Sequence, residues 1–210
     1  MSSATDANIS FPRVLAHPLR RDLAHYPVVA LMGARQVGKS TLCRQIAEEQ
    51  GLSWSTLDDR DLRRQALEDP EGLLADLGDD GAFIDEVQRA PDLLLAIKAV
   101  VDRDQRPGRY LLSGSNQPTV RGAVGESLLG RAGYRTLRPL SLSELRLSEE
   151  HHGWSFLFEE AEATILAELE RRAEVSGTLD WKVVAATGGF PRAVKAAPEQ
   201  RRRLLNDYIE

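Results

Sequence analysis

The residues Gly33-Ala34-Arg35-Gln36-Val37-Gly38-Lys39-Ser40 follow the spacing G-x-x-x-x-G-K-[ST]. That spacing suits a phosphate chain for physical reasons. The glycines let the backbone turn its N–H groups toward one point and form a concave nest for an anion. Lys39 supplies a compact positive charge for the β- and γ-phosphates, and Ser40 offers its hydroxyl to magnesium. Thr41 continues the same segment into a helical pattern, whose N-terminus adds a positive dipole end. Val37, Arg35 and Gln36 lie between the glycines. Arg35 and Gln36 read either as phosphate or neighbour contacts or as solvated loop positions.

A bound magnesium–phosphate group also needs a carboxylate at the tip of a neighbouring strand. The run Ala82-Phe83-Ile84-Asp85-Glu86 offers it. Asp85 ends the apolar stretch and is the candidate magnesium-side acid. Glu86 follows directly and is the candidate to polarise a water for in-line attack on the γ-phosphate. Successive strand side chains point to opposite faces, so both acids can serve one site only if the strand ends there and the backbone turns. A small-molecule kinase must keep water out of its site. A glutamate placed to activate water therefore argues for hydrolysis.

These groups must be held by strands and helices that alternate. From Phe11 to about Pro139 short β-like runs alternate with helical patterns, the mark of a parallel sheet covered on both faces. Strands are expected at Val28–Met32, Trp54–Asp58, Ala82–Asp85, Tyr110–Ser113 and Tyr134–Leu137. Helices are expected at Lys39–Gln50, Asp61–Leu67, Asp92–Asp104 and Thr119–Leu129. Beyond Pro139 the pattern turns helical, at Ser143–Leu147, Glu159–Ala173, Trp181–Thr187 and Pro191–Tyr208. The expected organisation is a loose tail over residues 1–10, an α/β core over 11–140 and a small helical lid region over 141–210.

Composition sets outer bounds. The chain has 210 residues, 42% hydrophobic, with a formal net charge of -5. That supports one sizeable core, and the charge does not mark the whole chain as a nucleic-acid binder. Cys43 stands alone, which excludes an internal disulfide and fits a reducing cytosol. The N-terminus is polar, and runs such as Leu93-Leu94-Leu95-Ala96-Ile97 are too short to cross a bilayer. A cytoplasmic location without a membrane contact is the expectation.

At the level of whole segments the sequence resembles the prokaryotic AAA-type ATP-binding proteins that carry an appended C-terminal domain of unknown function. The resemblance runs through Leu31–Leu42, Leu57-Asp58-Asp59, Phe83–Pro91, Tyr110–Ser115, Glu126–Arg131, Leu137–Ser141 and Gly188-Gly189-Phe190-Pro191. It implies a P-loop NTPase fold of AAA type, binding ATP with Mg2+. It implies that the strand ending at Ser113 lies between the P-loop strand and the acidic strand. Ser113 would then be a polar sensor near the γ-phosphate, where the family more often has threonine. Arg131 would stand where an arginine completes its own site or, through self-association, a neighbour's. The Gly-Gly-Phe-Pro run would belong to the helical region that caps the nucleotide. The appended domain should follow, yet the sequence stops inside a helical pattern, so a truncation is expected.

Weaker signals have ordinary readings. Asp58 and Asp59 end a strand beside the site, and Asp59 equally suits a helix N-cap before Leu62. His151-His152 cannot share a helix face, which weighs against a metal site. Arg201-Arg202-Arg203 read as a solvated face. The leading function is magnesium-dependent ATP hydrolysis coupled to a conformational change. The alternative is a nucleotide-gated binding module with slow or no turnover, whose protein or nucleic-acid partner the residues do not identify.

Overall fold

The computed structural model describes residues 11–115, 128–145 and 181–209, with 164, 166 and 167. The expected tail, most of the Thr119–Leu129 helix, most of Glu159–Ala173 and the His151-His152 pair lie outside the described residues. Leu128 and Leu129 form part of a turn, and residues 164, 166 and 167 are helical.

In chain order the elements are α1 (Ala16–Leu23), β1 (Val28–Gly33), α2 (Lys39–Gln50), β2 (Ser53–Thr56), α3 (Arg60–Glu68), α4 (Pro70–Asp76), β3 (Ala82–Asp85), a 3-10 turn (Val87–Arg89), α5 (Leu93–Arg103), β4 (Tyr110–Ser115) and β5 (Ala132–Leu137). Then come α6 (Leu142–Leu145), α7 (Trp181–Thr187), α8 (Pro191–Lys195) and α9 (Pro198–Ile209). No helix among the described residues is long and apolar enough to cross a membrane. The chain divides into two compact units, Arg13–Arg138 and a second that takes in the residues from Pro139 onward together with Phe11 and Pro12.

The first unit is an α/β fold around five parallel strands in the order β2-β3-β4-β1-β5. Strands buried on both faces must be apolar throughout, and Val28–Gly33 and Ala82–Asp85 are buried at every position. Alternation then sorts their side chains. Val28, Ala30, Met32, Ala82, Ile84, Tyr110 and Leu112 join one cluster with Ala66 of α3, Leu73 and Leu74 of α4, and Leu93 and Ile97 of α5. The opposite parity, Val29, Leu31, Phe83 and Leu111, is equally buried. Leu19 and Leu23 of α1 and Leu42, Cys43, Ile46 and Ala47 of α2 are the buried apolar residues of the helices on that face.

Local chemistry sets the element ends. The Asp59 side chain accepts from the N–H groups of Asp61 and Leu62 at 2.9 and 3.0 Å, so it caps α3. That capping role stops β2 at Thr56 rather than Asp58. Helix α4 carries a cap from Asp69 and a proline at its first turn. β5 begins at Ala132, two residues before the expected start, with Ala132 and Gly133 paired to Val28 and Val29; a Cβ on Gly133 would lie 2.9 Å from the Tyr26 ring.

The second unit is helical where it is described. Ser141 and Glu144 cap α6 reciprocally. The Ser141 N–H donates to Glu144 Oε2 at 2.7 Å, and the Glu144 N–H donates to Ser141 Oγ at 3.3 Å. Gly188 ends α7 at φ +66°, and the Leu140 N–H donates to the Gly189 carbonyl at 2.7 Å. The expected Pro191–Tyr208 helix is two helices, since Pro198 cannot continue α8. Arg201 is no solvated arginine. It donates to the carbonyls of Ala193 and Ala196 at 2.9 and 3.0 Å and to Thr187 Oγ1 at 3.2 Å, joining α7, α8 and α9. Arg202 and Arg203 are exposed.

Candidate functional site

The C-terminal edge of the parallel sheet gathers the chemistry. The loop from Gly33 to Lys39 leaves β1 and enters α2. Gly33 must be glycine here, because a Cβ would sit 2.5 Å from the Leu137 carbonyl oxygen of β5. Gly38 stands at φ 96°, a left-handed conformation that favours glycine. Gln36 also has a positive φ, 63°. Val37 is fully buried and pins the loop from within, whereas Arg35, Gln36 and Thr41 are exposed and Ala34 and Ser40 partly so.

Lys39 is only 5% exposed, and its ammonium donates to the Ala34 carbonyl at 3.0 Å. No ion pair balances it among the described residues. A buried ammonium held by one loop carbonyl is costly unless an anion joins it, and a phosphate chain fits that requirement.

Parity explains the acid side. Phe83 and Asp85 leave β3 on the α2 face, as Leu111 and Ser113 leave β4, and Ile84 pairs with Leu112. Asp85 and Ser113 are therefore neighbours, both buried, and the Ser113 hydroxyl donates to Asp85 Oδ1. The same oxygen accepts the Glu86 N–H at 3.1 Å. Beneath lies Cys43, whose thiol pKa is pushed up by burial and by the negative charge of Asp85, with Lys39 opposing. Both charged groups are thus felt on one side of the sheet.

Glu86 solves the alternation problem. It adopts φ 59° and ψ 41°, a left-handed turn that ends β3 and starts the 3-10 turn. Its carboxylate accepts from the Gln88 side-chain amide, and Gln88 Oε1 accepts the Ser115 N–H at 3.2 Å. Asp58 pairs with Arg89 at 2.5 Å, which ties the loop after β2 to the same turn.

Among the described residues no group of three or more His, Cys, Asp or Glu could hold a metal ion. Magnesium suits such a site, since it keeps waters and takes phosphate oxygens beside one or two protein ligands. Ser40 and Asp85 are the residues that would hold it.

Arg131 stands elsewhere. Its carbonyl accepts the Val28 N–H, so it lies where β1 begins. Five strand residues at roughly 3.3 Å each separate that edge from Gly33, roughly 16 Å. Its guanidinium pairs with Asp102 at the end of α5 and donates to the Leu129 carbonyl at 3.0 Å. The pairing raises the Arg131 pKa and lowers that of Asp102. An arginine completing its own chain's phosphate site does not fit this position.

Sequence reasoning missed two residues. Arg13 donates to the Val37 carbonyl and to the Arg138 carbonyl, each at 2.7 Å, and so clamps the phosphate loop to the end of β5. No local pattern marks an arginine so far upstream. Gln88 lies within the matched Phe83–Pro91 segment, but nothing in its spacing shows that its amide faces Glu86.

A strand, a glycine loop closing on a helix N-terminus, and an acid on the next strand but one define a P-loop nucleotide-binding fold of ATPase type. The family model for the AAA domain matches residues 25–146, more than half of the chain. The chain belongs to that family. Two uncharacterized proteins, from Mycobacterium bovis and Mycobacterium tuberculosis, are each 38% identical over 144 residues, which cover 68% of this chain and 32% of theirs. The matched part thus spans about a third of the length of those curated relatives. The Walker-type ATPase of Pyrococcus abyssi is similar at 18% identity and TM-score 0.44, over 91% of this chain and 67% of that one. AMPPCP-bound DnaA from Aquifex aeolicus is similar at 13% identity and TM-score 0.46, over 92% and 59%.

Proposed function

We propose that this chain binds ATP with magnesium and hydrolyses it, and that turnover drives a conformational change. The observation that carries the reading is the left-handed turn at Glu86, beside a buried Asp85 and on the edge that holds Lys39. That turn supports giving the two adjacent acids separate tasks. Asp85, with Ser40, would hold the metal, which when bound neutralises phosphate charge. Lys39 and the loop N–H groups bind and orient the phosphates. Glu86 takes the proton of the attacking water. Ser113 holds Asp85 in place and offers a hydroxyl close to the γ-phosphate position. Adenine over guanine rests on the family, and no Asn-Lys-x-Asp run is present in the sequence. Any contribution of Arg131 to a phosphate site must reach a neighbouring copy.

The test is Glu86→Gln. Glutamine keeps the shape and can still hydrogen-bond water, but cannot take up its proton. Loss of a general base costs about 10²–10⁴ in rate. Single-turnover phosphate release should fall by that factor, while calorimetric affinity for magnesium–ATP stays near wild type. Unchanged hydrolysis in the variant would overturn the mechanism. Tight binding with no hydrolysis in either protein favours a nucleotide-gated binding module.

A further inference from the structure

We propose that Gln88 is the positioning residue that ties the Glu86 carboxylate to strand β4, and so to the strand that carries Ser113. The proposal rests on the reading of Glu86 as the water-activating group.

The chemistry of the amide fixes which end meets which partner. The Ser115 backbone N–H can only donate, and Gln88 Oε1 accepts it at 3.2 Å. That leaves the amide NH2, a donor, for the Glu86 carboxylate, which when ionised only accepts. A flipped amide would set N–H against N–H at one end and oxygen against oxygen at the other. The bridge therefore has one sense.

The surroundings hold Gln88 in that bridge. Val87 before it is fully buried in the core, and Arg89 after it pairs with Asp58 at 2.5 Å. Gly114 opens the space it occupies, since a Cβ there would lie 2.8 Å from Gln88 Oε1. Ser115 is the last residue of β4 and sits in register with Gly33, where the phosphate loop begins. Both acids are thus fastened to one strand, Asp85 through the Ser113 hydroxyl and Glu86 through Gln88. A glutamate carboxylate past a strand end otherwise turns about three side-chain torsions. The bridge supplies the orientation that general-base catalysis needs.

Two variants of the full chain separate positioning from simple support. Gln88→Met keeps the length and removes both hydrogen bonds. Gln88→Glu keeps an acceptor for the Ser115 N–H but cannot donate to Glu86. In the nucleotide-free protein, amide hydrogen exchange at Ser115 should speed up in Q88M and stay near wild type in Q88E. Turnover at saturating magnesium–ATP should fall about 10-fold or more in both, with affinity within about twofold of wild type. In the E86Q background, Q88M should cause no further loss, because Gln88 acts through Glu86. Turnover that follows Ser115 protection, low in Q88M and normal in Q88E, overturns the proposal and makes Gln88 a support for β4. A rise in turnover in either variant also overturns it. E86Q that is slow while both Gln88 variants run at the wild-type rate sinks Gln88 alone. E86Q at the wild-type rate removes the reading of Glu86 beneath it.

Discussion

At the N-terminal edge of the sheet Arg131 and Arg109 are matched with acids, whereas at the C-terminal edge the buried Lys39 and Asp85 are matched with neutral groups, the Asp58–Arg89 pair lying on the more exposed rim. Arg131 pairs with Asp102, and Arg109 with Asp104, both in the first kind of arrangement. Lys39 rests on a backbone carbonyl, and Asp85 accepts from a hydroxyl and an amide N–H. The difference is one of purpose. An ion pair satisfied within the chain has little left to offer a ligand, while a buried charge held by neutral dipoles keeps most of its field for one. Between these two edges lies Asp22 of α1, nearly buried and held by both Arg135 Nε and, at 2.9 Å, Arg135 Nη2. That pair fastens a helix to β5.

The largest expected effect comes from breaking the C-terminal edge. Lys39→Ala should weaken magnesium–ATP binding by about 2–5 kcal/mol, the range for losing one partner of a desolvated charge contact. Its unfolding free energy should be unchanged or higher, because an uncompensated buried charge has gone. Calorimetry with denaturant unfolding checks both halves. Wild-type affinity in this variant would place the phosphates elsewhere.

Asp22→Asn should behave in reverse, losing about 1–3 kcal/mol of stability with nucleotide affinity intact. The Arg135 guanidinium holds the Asp22 carboxyl below the usual carboxylate range. A lowered folded-state pKa stabilises the protein above the unfolded value near pH 4, and that contribution fades as pH falls through the folded value. The gap between wild type and variant should therefore be full at neutral pH and close below about pH 4. A gap that persists unchanged in acid would assign the effect to packing.

The smallest effect is expected at Arg131. As a surface partner of Asp102 its removal should leave affinity and turnover of dilute protein within about twofold of wild type. A turnover loss that deepens with protein concentration would instead bring this arginine to a neighbour's phosphate site.

How much of this was legible depends on what each residue answers to. The runs Val28–Met32, Ala82–Asp85 and Tyr110–Ser113 declare themselves, because strands buried on both faces tolerate only apolar side chains. The phosphate loop declares itself because few residue types meet its backbone demands. The insertion of β4 between β1 and β3 came from the family resemblance, not from periodicity, and the register bears it out. Helices α1 and α4 were not foreseen, although Asp69-Pro70 is an N-terminal signal for the second. Arg13, Gln88 and Arg201 stayed hidden for one reason. Each makes its bonds to backbone groups or side chains that only the folded chain brings near.

Glu86 also sets fold against activity. A non-glycine residue at φ 59° costs of order 1 kcal/mol that glycine would not. For stability alone glycine suits this backbone conformation better, as at Gly38 and Gly188, where φ is likewise positive. Gln36 carries the same cost in the phosphate loop, so both non-glycine residues with positive φ among the described residues lie at the C-terminal edge of the sheet. On the proposed role of Glu86, a redesign that placed glycine here for stability would remove the proposed water-activating group.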